Sequence, residues 1–141
     1  MLLNRIIYAL PSRLNKLIYS AIKYYFRKQR IITFRGLKLK LLPTVFHPKL
    51  YLTTETLLNF LLSIDLKEKT TLELGCGSGA ISLYLSKFNK VKAYVSDINP
   101  SAIKGVRINS LTHQLDIVSY YSNLFNAIPE TTFDVVILNP P

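Results

Sequence analysis

From Thr70 onward the chain alternates short β-rich runs with stretches patterned as helices, and this alternation leaves few folds open. Thr70 to Leu74 reads as a strand, Ser78 to Phe88 as a helix, Lys92 to Ser96 as a strand and Pro100 to Ser110 as a helix. Two further strands follow, Asp116 to Tyr120 and Phe133 to Leu138. Strands separated by helices imply crossover connections and a parallel sheet. The expected class is therefore α/β, with a Rossmann-like parallel sheet.

The segment in front has a different character. Leu3, Ile6, Ile7, Leu10, Leu14, Leu17, Ile18, Ala21, Ile22 and Tyr25 recur at helical spacing, which predicts one or two amphipathic helices broken at Pro11-Ser12. Ile31 to Phe34, Arg35-Gly36 and Leu37 to Leu42 read as a hairpin, with Leu37, Leu39 and Leu41 alternating against Lys38 and Lys40. After the loop Thr44-Val45-Phe46-His47 comes a helix, with Thr53 or Thr54 as its cap and Leu57, Leu58, Leu61 and Leu62 as its buried face. The expected organisation is a basic helical segment over residues 1–30, a hairpin and helix over 31–66, and a core over 67–141.

Charge follows the same division. The formal net charge of +10 comes from the front, since residues 1–54 hold eleven Lys or Arg and no acid. The remaining seven bases and eight acids sum to −1. A one-signed segment suits an anionic surface: RNA, DNA or acidic lipid. The alternative is a solvated helix face. No apolar run reaches the roughly 18–20 residues that span a bilayer, and Cys76, the single cysteine, excludes an intrachain disulfide. Both fit a cytoplasmic location.

Leu72-Glu73-Leu74-Gly75-Cys76-Gly77-Ser78-Gly79 lies between a strand and a helix, where nucleotide-binding loops occur. Gly75 allows the turn, Gly77 lets a ligand approach the backbone, and Gly79 is expected to let helix and strand pack closely. With Ala80 the same residues match a dinucleotide fingerprint, Gly-x-Gly-x-x-Ala. Glu73 argues against that, because an anion here repels a pyrophosphate. It suits instead the positively charged amino acid end of S-adenosylmethionine. Asp97, ending the next strand, can take both hydroxyls of a ribose, or it can cap the helix that starts at Pro100. Cys76 reads as a small loop residue, and His47 and His113 as ordinary surface or loop histidines without ligand-like neighbours, so no metal is called for.

Over residues 31–141 the chain resembles the class I S-adenosylmethionine-dependent methyltransferases, in particular the release-factor-glutamine (HemK-like) and methyltransferase small-domain group. Gly75-Cys76-Gly77, Asp97-Ile98-Asn99-Pro100-Ser101-Ala102, Ser122-Asn123-Leu124-Phe125 and Asn139-Pro140-Pro141 carry the likeness, with Phe34-Arg35-Gly36 and Val45-Phe46-His47-Pro48 matching that group's hairpin. The resemblance implies that Glu73, Gly75 and Gly77 contact the methionine part of the cofactor, that Asp97 holds its ribose, and that Asn123 lies near its adenine. Asn139 and the carbonyl of Pro140 would accept the two N–H groups of a planar acceptor nitrogen. That acceptor would be a release-factor glutamine or a base in RNA or DNA. Thr53-Thr54-Glu55-Thr56 departs from the group's usual acid-Thr-Glu.

The group's motif continues with an aromatic residue and about three more strands. Their absence after Pro141 leads to the expectation of a truncated or partial sequence with its C-terminal strands missing, an open apolar edge at Val135 to Leu138, and weak or no activity. Two other classes stay in view: an inactive RNA- or membrane-surface-binding module, and a nicotinamide-dependent reductase, the latter disfavoured by Glu73 and by Asn139-Pro140-Pro141.

Overall fold

The computed structural model describes residues 14, 24, 27–45, 47–48, 52–129 and 131–140. The helices expected over residues 2–26 fall outside these, Leu14 and Tyr24 apart, as do Phe46 and Pro141. A hairpin of β1 (Arg30–Phe34) and β2 (Leu37–Leu41) leads to α1 (Leu52–Leu62). The core follows as β3 (Thr70–Leu74), α2 (Ala80–Asn89), β4 (Lys92–Asp97), α3 (Pro100–Thr112), β5 (Ile117–Tyr121) and β6 (Val135–Leu138).

The core sheet has the order β5-β4-β3-β6, and every pair in it is parallel. β3 is therefore covered by a neighbour on each side, and Thr71 to Leu74 are all buried, as a parallel strand sandwiched between layers requires. Among the described residues β6 pairs with β3 alone, and its Val136 and Leu138 stay 48% and 54% exposed while Ile137 is 2% exposed. The expected apolar edge is thus present among the described residues. No helix among them is long and apolar enough to cross a membrane.

The hairpin belongs to the same packing. Its turn is two residues long, with Phe34 opposite Leu37 and positive φ at both Arg35 (43°) and Gly36 (84°), as the mirror-image hairpin turn demands. Leu37, Leu39 and Leu41 enter one apolar cluster with Leu58 and Leu61 of α1 and Ile81, Leu83 and Leu85 of α2. Polar bonds fix its placement. Asn109 of α3 accepts from Lys40 N at 2.8 Å and donates to Lys40 O at 3.1 Å, completing a missing ladder partner with a side chain. His113 Nε2 sits 2.8 Å from Lys38 O. At the turn, Arg35 Nε pairs with Glu55 at 2.7 Å and the same guanidinium reaches Asn59.

Several boundaries differ from expectation, each for a local reason. α2 starts at Ala80 rather than Ser78, because Gly77 and Gly79 hold φ of 52° and 68°, which no right-handed helical residue adopts. α3 runs two residues past Ser110. β6 begins at Val135, not Phe133: Asp134 instead trades two bonds with Thr70, N to O at 2.9 Å and Thr70 N to Oδ2 at 2.7 Å, and Phe133 packs edge-on against Tyr94. Thr53 and Thr54 do not precede α1, since the helix already includes Leu52. His47 is a loop residue but a buried one, 6% exposed.

Candidate functional site

A cavity of about 220 Å³ opens at the carboxyl ends of β3, β4 and β6. Ligands of open parallel sheets bind at that edge, where loops and helix starts converge. From β3 come Glu73 and the bend Gly75, Gly77 and Ser78; from β4, Asp97; from the start of α2, Ala80 and Ile81; from beyond β6, Asn139. The front segment adds Thr44 and Thr54, and the α3 start adds Asn99.

The bend is held by its own strand neighbours. Cys76 N donates to Ser96 O at 3.0 Å, and Gly79 N donates to Cys76 O at 2.8 Å. Positive φ at Gly75, Gly77 and Gly79 makes the turn possible. A Cβ on Gly75 would meet nothing within 4 Å, so the space beside it is open to a ligand. A Cβ on Gly79 would lie 2.6 Å from Val106 Cγ2. Gly79 therefore serves the close approach of α2 to α3, not of helix to strand as its position suggested.

Two carboxylates face this bend. Glu73 is 4% exposed, and its Oε2 accepts from Ser82 Oγ at 2.5 Å and Ser82 N at 3.1 Å. Burial pushes its carboxyl up to about 7, against the lowering effect of the Ser82 bonds and with a further rise from the negative Asp97. Such a group gains most from a cation placed beside it. Asp97 spends Oδ2 on Gly77 N at 2.7 Å and Oδ1 on Asn99 N at 2.8 Å. It does not cap α3. Asn99 does, accepting from Ser101 N at 2.9 Å. Cys76 is buried, and burial with the nearby Glu73 and Asp97 raises its thiol well above the ordinary value. It stays protonated and is no nucleophile.

Of the residues singled out from sequence, Glu73, Gly75, Gly77, Asp97 and Asn139 line one cavity. Asn123 and Pro140 are exposed and do not line it. Asn123 lies just past β5, two residues beyond Tyr121. Sequence reasoning missed Thr44, Thr54, Ser82 and Asn99. Asn99-Pro100 carried a helix-start signal that could have found the last of these. Thr54 stood in the Thr53-Thr54-Glu55-Thr56 stretch compared with the group's acid-Thr-Glu but was given no role at the site, and Thr44 and Ser82 are placed by tertiary packing and had no signal.

The methyltransferase small domain model matches residues 36–141. The chain belongs to that family. A Methanocaldococcus jannaschii relative, provisionally named a protein N5-glutamine methyltransferase, is 36% identical to this small domain over 111 residues, covering 79% of this chain and 54% of the relative. The ribosomal RNA small subunit methyltransferase C of Actinobacillus pleuropneumoniae is 32% identical over 131 residues, 84% of this chain and 40% of its own. The chain thus spans about half or less of the curated relatives it matches. Its fold resembles the 16S rRNA N2 methyltransferase of T. thermophilus solved with AdoMet and guanosine (TM-score 0.65, 22% identity, 81% of this chain and 33% of that one). It resembles equally the Pyrococcus abyssi tRNA (uracil-54, C5)-methyltransferase with S-adenosyl-L-homocysteine (TM-score 0.65, 22% identity, 80% and 28%). A class I methyltransferase fold is therefore established, and the small domain shares it with enzymes of differing acceptors.

Proposed function

We propose that this chain carries the cofactor half of an S-adenosylmethionine-dependent N-methyltransferase whose acceptor is a planar amide or amine nitrogen. The observation that carries the reading is the meeting of Asn139 with Glu73, Gly75, Gly77 and Asp97 around one cavity. The residues fit the group. Glu73 offers a buried anion to the amino acid ammonium, the open space at Gly75 admits the methionine chain, and Asp97 offers a carboxylate to the ribose. At about 220 Å³ the cavity is below the roughly 300–1,000 Å³ that engulfs a drug-sized ligand. The adenine would accordingly lie outside it, toward Asn123, whose amide oxygen can accept from the purine amine.

Bound at Glu73, Gly75 and Asp97, S-adenosylmethionine would supply a methyl group on a cationic sulfur, the C–S electron pair staying with the sulfur as the C–N bond formed. The chain's own task is to place the acceptor. A planar nitrogen has a delocalised lone pair and is a weak nucleophile. Asn139 Oδ1 would accept one of its N–H groups and the Pro140 carbonyl the other. Both acceptors favour positive charge growing on nitrogen and hold it in line with the methyl. The nitrogen's extra proton then passes to water.

The acceptor itself is a release-factor glutamine or a nucleic-acid base. The basic front segment, with eleven Lys or Arg and no acid over residues 1–54, supports an RNA contact. The likeness of the hairpin supports the glutamine. Tritiated S-adenosylmethionine offered with release factors and, separately, with ribosomal RNA separates them. Label on neither, with S-adenosylhomocysteine binding absent in calorimetry, would overturn the reading.

A further inference from the structure

Asn139 sits at the end of β6, a strand paired on one side only among the described residues. The bond that holds it comes from the front of the chain: Asn139 Nδ2 donates to Thr54 Oγ1 at 3.4 Å, across 85 positions of sequence. Thr54 is 4% exposed and lines the same cavity. It shares a helix face with Leu58 and Leu61, which are 0% and 3% exposed in the core, and Arg35 ties the adjoining flank of that helix through Glu55 and Asn59. A helical threonine has two χ1 rotamers open to it, and here the buried side chain takes the one that brings Oγ1 to Asn139 Nδ2.

An asparagine amide has two faces of opposite sense. Turned one way it offers an acceptor oxygen, and turned the other it offers two N–H donors. Only the first can receive an N–H from an acceptor nitrogen; the second sets donor against donor. We propose that Thr54 is a positioning residue: with its hydroxyl accepting from Asn139 Nδ2, the Oδ1 of the same amide is the atom left for the methyl acceptor. This rests on the transferase reading above. It adds that the helix before the cofactor core is part of the reacting geometry, through Thr54 on its buried face and not through Thr53, exposed one position earlier.

The test compares Thr54→Val, Thr54→Ser and, as control, Thr53→Val in the 141-residue chain. With whichever acceptor is labelled, Thr54→Val should lower kcat by about 10- to 100-fold, the cost of a misdirected reacting group. The KM for the methyl donor should stay within about twofold, Thr54→Ser should restore most of kcat, and Thr53→Val should change nothing. Unchanged kcat in Thr54→Val, or donor affinity falling in step with it, would overturn the proposal. Side-chain amide NMR of Asn139 reads it without turnover. One protected, well-dispersed Nδ2 pair in the wild type and Thr54→Ser, averaged in Thr54→Val, supports it. An identical pair in all three overturns it. If the wild type labels no acceptor and binds no S-adenosylhomocysteine, the transferase reading fails by itself and the NMR still judges Thr54.

Discussion

The two sides of the cavity are built in opposite ways. The donor side, from Glu73 through the glycine bend to Asp97, comes from one β-α-β stretch of 25 residues, and its carboxylates are clasped by neighbours in that stretch or two residues past it: Ser82 on Glu73, Gly77 and Asn99 on Asp97. The acceptor side, Asn139 with Thr54, joins residues 85 positions apart, and its strand is an edge with Val136 and Leu138 half exposed. One half is held by backbone geometry inside a buried sheet. The other depends on the hairpin and α1 docking correctly on the core. A site made this way can keep its cofactor while losing its chemistry, and changes on the two sides should separate binding from turnover.

Asn139→Ala gives the largest effect expected. Removing one acceptor aimed at developing charge costs about 10²–10³-fold in turnover. S-adenosylhomocysteine affinity should stay within about twofold, because the donor side is untouched. Parallel loss of both, measured by calorimetry beside the tritium assay, would mean that the two halves are not separable.

Glu73→Gln should do the converse. It keeps an acceptor for Ser82 but removes the charge, so donor affinity should weaken about 10- to 100-fold, the 1.5–3 kcal/mol of a hydrogen bond to a charged group. The effect on stability runs the other way. The carboxyl titrates at about 7 in the fold against an ordinary 4.5. Its protonated form is the one that the donor-free fold favours. That contribution is complete below about pH 4.5 and is lost as the pH rises through 7, on the order of 3 kcal/mol in all. Melting of the donor-free wild type should therefore fall between pH 5 and 8, and that of Glu73→Gln should fall less. A wild type whose melting point rises over that range would refute the buried proton.

Gly79→Ala tests the scaffold of the donor side apart from its chemistry. The new Cβ would lie 2.6 Å from Val106 Cγ2 at a φ of 68°, and the two faults together cost about 1–3 kcal/mol. For a domain of this size that is a melting point lower by several degrees. Gly79 does not line the cavity, so affinity measured well below the transition should barely move.

How much of this was legible in the sequence follows the same division. The glycine bend, Glu73 and Asp97 were visible because a strand, a turn and a helix start are each local, and their spacing alone brings them together. The β2 alternation of Leu37, Leu39 and Leu41 was visible for the same reason. Thr54 was not: it was assigned a cap role from its neighbours, whereas packing of α1 turned it toward Asn139. Ser82 looked like an ordinary helix residue because its partner is fixed only when α2 lies on β3. Gly79 was given the wrong partner, since Val106 approaches through α3, a contact that no local pattern encodes. Asn123 was carried by resemblance and stands outside the cavity.

Asn99 is where the two building modes meet, and it should show the smallest effect. Its Oδ1 caps α3 by accepting from Ser101 N, a local bond, while its Nδ2 donates to Thr44 O at 3.1 Å, reaching 55 positions back to the front segment. Asn99→Ala removes both and should cost about 1 kcal/mol, most of it the cap. Asn99→Asp keeps an acceptor for Ser101 N but has no N–H for Thr44. If the donor side stands alone, Asp should restore both the melting point and S-adenosylhomocysteine affinity. If Thr44 closes the cavity as a wall, stability should return while the ligand dissociates about two- to fivefold faster, less than one hydrogen bond's worth. Stopped-flow dissociation with both variants distinguishes these outcomes. The second would mean that even the cofactor half leans on the front of the chain.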